Sequence, residues 1–176
     1  MDKPMSGLHF KVMSFGYIFR DLFLPRSKVL AEVGIKPGFH LLDYGCGPGG
    51  YIVAAAELVG KSGKVYALDI HPLAIQKVKD IVSKKNLTNV ATICSDCKTG
   101  LPDNSMDVVL FYDINHGLSS PNEVLAELHR VLKPKGVLSF SDHHLAGDAI
   151  VSAITGNGLF KLLSKGKNTH SFTKEE

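Results

Sequence analysis

Short continuous apolar runs alternate along this chain with longer stretches of helical periodicity. That pattern predicts strands covered on both faces with helices between them. Pro37-Gly38 turns the chain into the first run, Phe39 to Tyr44. Tyr51 to Val59 reads as a helix whose Ala54-Ala55-Ala56 suits close packing on a sheet, and Gly60 and Gly63 close it. Val65 to Asp69 is the second strand. The next helix begins at Pro72, where a missing N–H is harmless, with Ile75, Val78, Ile81 and Val82 along one face and Lys77, Lys84 and Lys85 in solvent. Val90 to Cys94 is strand three. Lys98 to Ser105 is polar, carries Gly100 and Pro102, and predicts a loop. Met106 to Tyr112 is strand four. Ser120-Pro121-Asn122-Glu123 reads as a capping box that starts a helix presenting Val124, Leu125, Leu128, Val131 and Leu132 and ending at Lys133-Pro134. Gly136 to Ser141 is strand five, and Asp148 to Thr155 a short helix. Leu159–Leu163 and Thr169–Thr173, around Lys165-Gly166-Lys167-Asn168, read as a closing antiparallel hairpin.

Five β-α alternations and a hairpin predict an α/β fold, a mostly parallel seven-stranded sheet with helices on both faces. We expect a single domain over residues 1–176, with a core from residue 35. Residues 1–34 carry an aromatic run, Met13 to Leu24, then Pro25 and a short helix over Ser27–Val33 stopped by Gly34. That segment is expected to pack on the sheet edge, to serve as a lid over the ligand, or both.

Composition narrows the class only slightly. The 176 residues are 44% hydrophobic and 21% charged with a net charge of +3, values of an ordinary globular protein. The lysines are dispersed, so nothing calls for a nucleic-acid partner. Phe15 to Leu24 is broken by Arg20 and Asp21 and is too short to span a bilayer, and no signal peptide is read. Three cysteines make no disulfide framework and fit a reducing cytoplasm. The oligomeric state is left open.

The candidate chemistry begins at His40-Leu41-Leu42-Asp43-Tyr44-Gly45-Cys46-Gly47-Pro48-Gly49-Gly50, where four glycines fall within six positions after a strand that carries an acid. Gly45, Gly47 and Gly50 satisfy G-x-G-x-x-G, the dinucleotide spacing, while Asp43 with Gly45, Gly47 and Gly49 satisfies D-x-G-x-G-x-G. A carboxylate two residues before the first glycine would repel a pyrophosphate. It is a favourable neighbour for a cationic ligand. Asp43, Asp69, Asp96 and Asp113 all stand at or just past strand ends, where ligands of open α/β sheets bind.

Four separated stretches carry a family resemblance: Leu42 to Gly49, Val65 to Ile70, Asp96 with Gly100 to Asp107, and Leu128 to Gly136. On these the chain resembles class I S-adenosylmethionine-dependent methyltransferases, within them the small-molecule branch that includes the ubiquinone/menaquinone C-methyltransferases. The resemblance implies a Rossmann-like fold, S-adenosylmethionine as cofactor and a small-molecule methyl acceptor. It implies that Asp43, Tyr44, Gly45, Cys46, Gly47 and Gly49 surround the methionine part and that Asp69 accepts both ribose hydroxyls. An asparagine at 69, which keeps one acceptor, is then expected to lose less than an alanine. Ile70 would pack on the adenine, Asp96 would take its exocyclic amine with help from the Cys97 backbone, and Tyr112 and Asp113 would line the site near the methyl. The Asn-Pro-Pro-Tyr type of motif is absent, since Tyr112-Asp113-Ile114-Asn115 stands there, which argues against methylation of bases or glutamine.

The remaining candidates are histidines and cysteines. Cys94-x-x-Cys97 has metal or redox spacing without a second pair, so no metal is expected. His9, His40, His71, His129 and His170 read as surface or capping residues. His116, His143 and His144 follow strands four and five, which should be neighbours. Asp113, His116 and His143 are therefore the candidate catalytic residues, with His116 the first choice for a general base, because an imidazole ordinarily titrates near neutrality. Two other readings remain: a cofactor-binding protein of the same fold without catalysis of its own, and a nicotinamide-dependent oxidoreductase.

Overall fold

Side chains of Met106–Tyr112 (β4) divide alternately between two cores, as a strand covered on both faces requires. Met106, Val109 and Phe111 join one cluster, and Val108, Leu110 and Tyr112 the other. The computed structural model describes residues 26–114, 117–145 and 147–175. The aromatic run Met13 to Leu24 and His116 lie outside the described residues.

Seven strands form the sheet: β1 (His40–Tyr44), β2 (Lys64–Asp69), β3 (Val90–Cys94), β4, β5 (Leu132–Ser141), β6 (Phe160–Lys165) and β7 (His170–Lys174). Their order is β3-β2-β1-β4-β5-β7-β6, parallel through β5 and antiparallel at β7 and β6. Helices α1 (Arg26–Ala31), α2 (Ile52–Val59) and α3 (Pro72–Lys84) contribute Val29, Leu30, Ile52, Ala55, Ala56, Ile75 and Val78 to one face. Helices α4 (Pro121–Val131) and α5 (Asp148–Thr155) contribute Val124, Leu125, Leu128, Val131, Ile150 and Ile154 to the other.

The predicted elements stand, with two differences. Helix α4 ends at Val131, and Leu132 already pairs with Met106, so β5 starts four residues before the expected Gly136. The register then jumps from Met106↔Leu132 to Val108↔Val137, so Lys133 to Gly136 bulge out opposite Asp107. Leu132 is fully buried, and this burial draws the strand start upstream of the proline. At the front of α4, Ser120 makes no side-chain cap, because its backbone (φ −134, ψ 66) is not that of a capping box. Helix α1 buries Val29 and Leu30 in the core that also holds Ile52 and Ala55 of α2.

Two carboxylates tie distant segments into this frame. Glu127 accepts from the Thr99 N–H (2.8 Å), the Thr99 hydroxyl (2.6 Å) and Arg130, whose guanidinium also reaches the Leu101 carbonyl at 2.9 Å and Asp103. Led by the Arg130 bond, these donors hold the Glu127 carboxyl down at about 2 and pin the loop that follows β3. Glu32, just past α1, accepts the Asn168 N–H and amide and the Thr169 N–H and hydroxyl in the β6–β7 turn. Burial pushes the Glu32 carboxyl up, but these hydrogen bonds outweigh it and leave it below its ordinary value.

Glu32→Ala strands the Thr169 donors, since Thr169 is 1% exposed. The expected cost is about 2–3 kcal/mol, read as a melting temperature lower by roughly 5–10 °C. Because the folded carboxyl titrates below the unfolded one, its contribution is present above the unfolded pKa and is lost as pH falls through the lowered one. The gap between wild type and variant should therefore close in acid.

Candidate active site

The strand order turns back at β1: β2 and β3 lie on one side of it, β4 and β5 on the other. At such a switch point the loops diverge and leave a crevice at the carboxyl ends. Asp43 and Tyr44 end β1, Asp69 ends β2, and Asp96 follows β3, while Tyr112 and Asp113 close β4. In-register pairing of Tyr44 with Leu68 and Phe111, and of Asp69 with Cys94, brings these ends level.

The glycine loop is folded back over β2. Gly45 and Cys46 both donate to the Leu68 carbonyl, at 2.8 and 2.9 Å, and Gly49 donates to the Cys46 carbonyl. Gly45 sits at φ +77, and a Cβ there would lie 2.6 Å from the Ile114 side chain, so only glycine fits under that residue. Gly47, at φ +51, has nothing within 4 Å of the position a Cβ would take, so the loop is open on that side. Cys46 is buried, a small filler whose thiol burial pushes well above its ordinary range.

Asp69 closes the loop from below. Its Oδ2 accepts the Gly47 N–H at 2.8 Å and its Oδ1 accepts the His71 N–H at 2.7 Å. Burial raises its pKa and these two bonds partly offset the rise. The His71 Nδ1 in turn accepts the Leu73 N–H and caps α3. The Tyr44 hydroxyl reaches the carbonyls of Asp96 and Cys97, both at 3.3 Å, and so fixes the turn that carries Asp96. The Asp96 carboxylate is half-buried and makes no hydrogen bond or ion pair with the described residues. Ile70 is half-buried, its carbonyl accepting the Cys94 thiol at 3.9 Å.

Asp43 is 3% exposed, and its Oδ2 has no hydrogen-bond partner. Burial pushes its carboxyl up to about 7, Asp69 pushes the same way, and Arg26 partly offsets them. Arg26 is a residue the sequence reading missed. Its guanidinium lies 4.4 Å over the Tyr51 ring and donates to the Tyr51 hydroxyl at 2.6 Å. Tyr51 in turn packs 5.1 Å from the Tyr112 ring. A lone arginine on a six-residue helix has no local pattern that announces such a placement. The Tyr112 ring is buried and its hydroxyl bonds Ser139 at 2.6 Å, which assigns that polar end to the core.

Beyond β4 and β5 the structure brings Asp113 and His143 together. The Asp113 Oδ1 lies 3.0 Å from the His143 Nδ1 and 3.2 Å from its backbone nitrogen. Asp113 adopts φ +56, a strained position for a residue with a side chain, held by its N–H bond to the Ser141 carbonyl at 2.8 Å. The His144 ring lies against His143, tilted by 41° with ring centres 4.1 Å apart, and its N–H bonds the buried Asp142. Among the described residues no cluster of His, Cys, Asp or Glu is arranged to hold a metal ion, and Cys94 and Cys97 are free thiols. No described helix is long and apolar enough to cross a membrane.

Comparison with known proteins agrees with this geometry. The chain is 34% identical over 133 residues to the demethylmenaquinone methyltransferase of Geobacillus stearothermophilus, covering 73% of this chain and 56% of that one. It is 32% identical over 148 residues to the ubiquinone/menaquinone biosynthesis C-methyltransferase UbiE of Paraburkholderia phymatum, covering 79% and 61%. The chain thus spans about three-fifths of the length of the curated relatives it matches. The crystal structure of a SAM dependent methyltransferase from Aquifex aeolicus superimposes with a TM-score of 0.82 at 28% identity, over 97% of this chain and 98% of that one. The profile described as "Methyltransferase domain" matches residues 35–172, from the turn before β1 into β7, and the chain belongs to that methyltransferase family.

Proposed function

We propose that this protein transfers a methyl group from S-adenosylmethionine to a small-molecule acceptor. The buried, unpartnered Oδ2 of Asp43 behind the glycine loop carries this reading. A cationic ligand relieves that carboxylate, whereas a dinucleotide would bring a pyrophosphate against both Asp43 and Asp69. The open side of Gly47 leaves room for the ligand to approach the backbone. Family membership supports the same reaction class, and the names of the relatives support a small acceptor.

When bound, S-adenosylmethionine supplies an electrophilic methyl on a sulfonium whose leaving group departs neutral. Asp43 and the loop from Tyr44 to Gly49 hold its methionine part, with Arg26 balancing the local charge. Asp69 accepts the ribose hydroxyls on the lone pairs its two N–H bonds leave open. Ile70 covers the adenine, while Asp96 and the Cys97 backbone read its edge. Asp113, an acceptor when ionised, accepts a hydrogen bond from the Nδ1–H of His143, so that Nε2 is the nitrogen that would remove a proton from the methyl acceptor. His116 is the second candidate for this base. The residues ahead of Arg26 are proposed to cover the crevice, and a cytoplasmic location stays part of the proposal.

Melting curves with S-adenosylmethionine, S-adenosylhomocysteine and NAD test the cofactor. At about 100 times Kd a ligand of the native state adds about 2.7 kcal/mol, roughly 5–10 °C here. A shift with NAD alone would overturn the reading. Transfer of labelled methyl from the cofactor into a metabolite extract identifies the acceptor. The pH dependence tests Asp43 itself. With its carboxyl at about 7, affinity for S-adenosylmethionine should rise roughly five- to tenfold between about pH 6 and 7.5 as the group ionises. Asp43→Asn should bind weakly and flatten that profile in calorimetry. The sign for stability is opposite: the raised pKa contributes stability below the unfolded value of 3.8 that is lost as pH rises through about 7.

A further inference from the structure

At the opposite end of the sheet, away from the crevice, a cavity of about 260 Å³ lies between the α1–β1 connection, the start of β4 and the bulge of β5. Lys36, Lys133 and Lys135 line it, over walls that include Phe39 and Val137. The acid in its wall, Asp107, is already satisfied. Its Oδ1 takes the Lys133 ammonium at 2.6 Å and its Oδ2 takes the His40 N–H at 2.8 Å. Lys36 and Lys135 have no acidic partner among the described residues, so two positive charges border the cavity uncompensated.

The backbone is shaped to produce this. The register jump between Met106 and Val108 pushes Lys133 to Gly136 out of the ladder. Lys133 and Lys135 of this bulge both border the cavity. Gly136 lets the bulge fold back, since a Cβ there would lie 2.7 Å from the Leu132 side chain and 3.0 Å from the Lys133 carbonyl.

We propose that this cavity binds a small phosphomonoester whose phosphate sits between Lys36 and Lys135 and whose compact apolar stem lies against the half-buried Phe39 and Val137. Charge and size both point to that class. Two unmatched ammonium groups balance a phosphate of about −1.5 to −2 at neutral pH. The cavity is smaller than the roughly 300–1,000 Å³ of drug-sized sites and suits a single ring or a short chain. The site is separate from the methyl-transfer crevice and does not depend on that reading.

Phenyl phosphate, inorganic phosphate and phenol are the probes, each titrated into the ¹⁵N-labelled full chain to about 10 mM. Phenyl phosphate should give saturable shifts at the amides of Phe39, Val137 and Gly136 and none at Gly45 or Gly47. Inorganic phosphate should bind the same residues severalfold more weakly, and phenol should not bind. The double variant Lys36→Met/Lys135→Met should weaken phenyl phosphate about tenfold with an unchanged melting temperature, because both side chains are exposed. The proposal is overturned by shifts that do not saturate, by shifts centred on the glycine loop, or by a double variant of unchanged affinity. Equal binding of inorganic phosphate would remove the apolar stem and overturn the phosphomonoester assignment.

Discussion

His143→Ala is expected to lower turnover of the acceptor about 10²- to 10⁴-fold while leaving affinity for S-adenosylmethionine within about twofold. In-line displacement at a sulfonium needs alignment and exclusion of water first, and a base only where the acceptor loses a proton. The structure supplies a pair suited to that second task. The Asp113 carboxylate lies 3.0 Å from the Nδ1 of His143; as an ionised acceptor it would favour the Nδ1–H tautomer, in which Nε2 carries the basic lone pair. In the proposed mechanism Asp113 acts through His143 and is a positioning residue. Asp113→Asn is the informative partner, because asparagine tolerates the φ of +56 there, so the backbone is kept while the acceptor carboxylate is lost. It should reduce kcat about 10- to 100-fold with little change in KM. Single-turnover measurements with saturating cofactor separate the two parameters. Full turnover in His143→Ala together with a loss in His116→Ala would move the base to His116. Full turnover in both would leave alignment alone as the mechanism.

Asp69→Ala is expected to weaken S-adenosylmethionine about 10- to 150-fold, about 1.5–3 kcal/mol, in calorimetry on the folded protein. The loss has two sources. Besides the ribose hydroxyls it is proposed to accept, the carboxylate holds the Gly47 N–H at 2.8 Å and the His71 N–H at 2.7 Å, so its removal also loosens the glycine loop. This changes what an asparagine should do. From the sequence, Asp69→Asn keeps one acceptor and is expected to lose less. In the structure both oxygens face backbone donors, so an amide NH₂ must point at one of them whichever way it turns. Asp69→Asn is therefore expected to fall within about threefold of the alanine variant. Unchanged affinity in Asp69→Ala would sink the ribose assignment.

Much of the frame was legible before the structure. β3, β4 and α5 have the bounds that their apolar runs and flanking polar residues predict. The parallel sheet with an antiparallel end follows from strand-helix alternation and then a hairpin. The misread boundary at Leu132 has a clear cause. Lys133-Pro134 looks like a helix stop followed by a turn, and only pairing of Leu132 with Met106 shows that the chain is already in the sheet. Ser120 likewise has the residues of a capping box without its backbone, because α4 is set by burial of Val124, Leu125 and Leu128.

For the candidate site, the division between sequence and tertiary structure follows the range of the interactions. The acids at strand ends and the glycines that must take positive φ are local requirements, and the sequence alone determined them. Which groups meet was decided by strand order, register and packing. Arg26 reaches Tyr51, and its charge bears on Asp43, because α1 buries Val29 and Leu30 in the same core as α2. Asp113 meets His143 because β5 pairs with β4 and brings Tyr112 opposite Ser141. Glu32 finds Asn168 and Thr169 across most of the chain because the hairpin docks on β5. The unpartnered oxygen of Asp43 is a property of the finished fold. A carboxylate in a sequence carries no record of whether water will reach it, and the packing over β1 withheld both water and a hydrogen-bond donor.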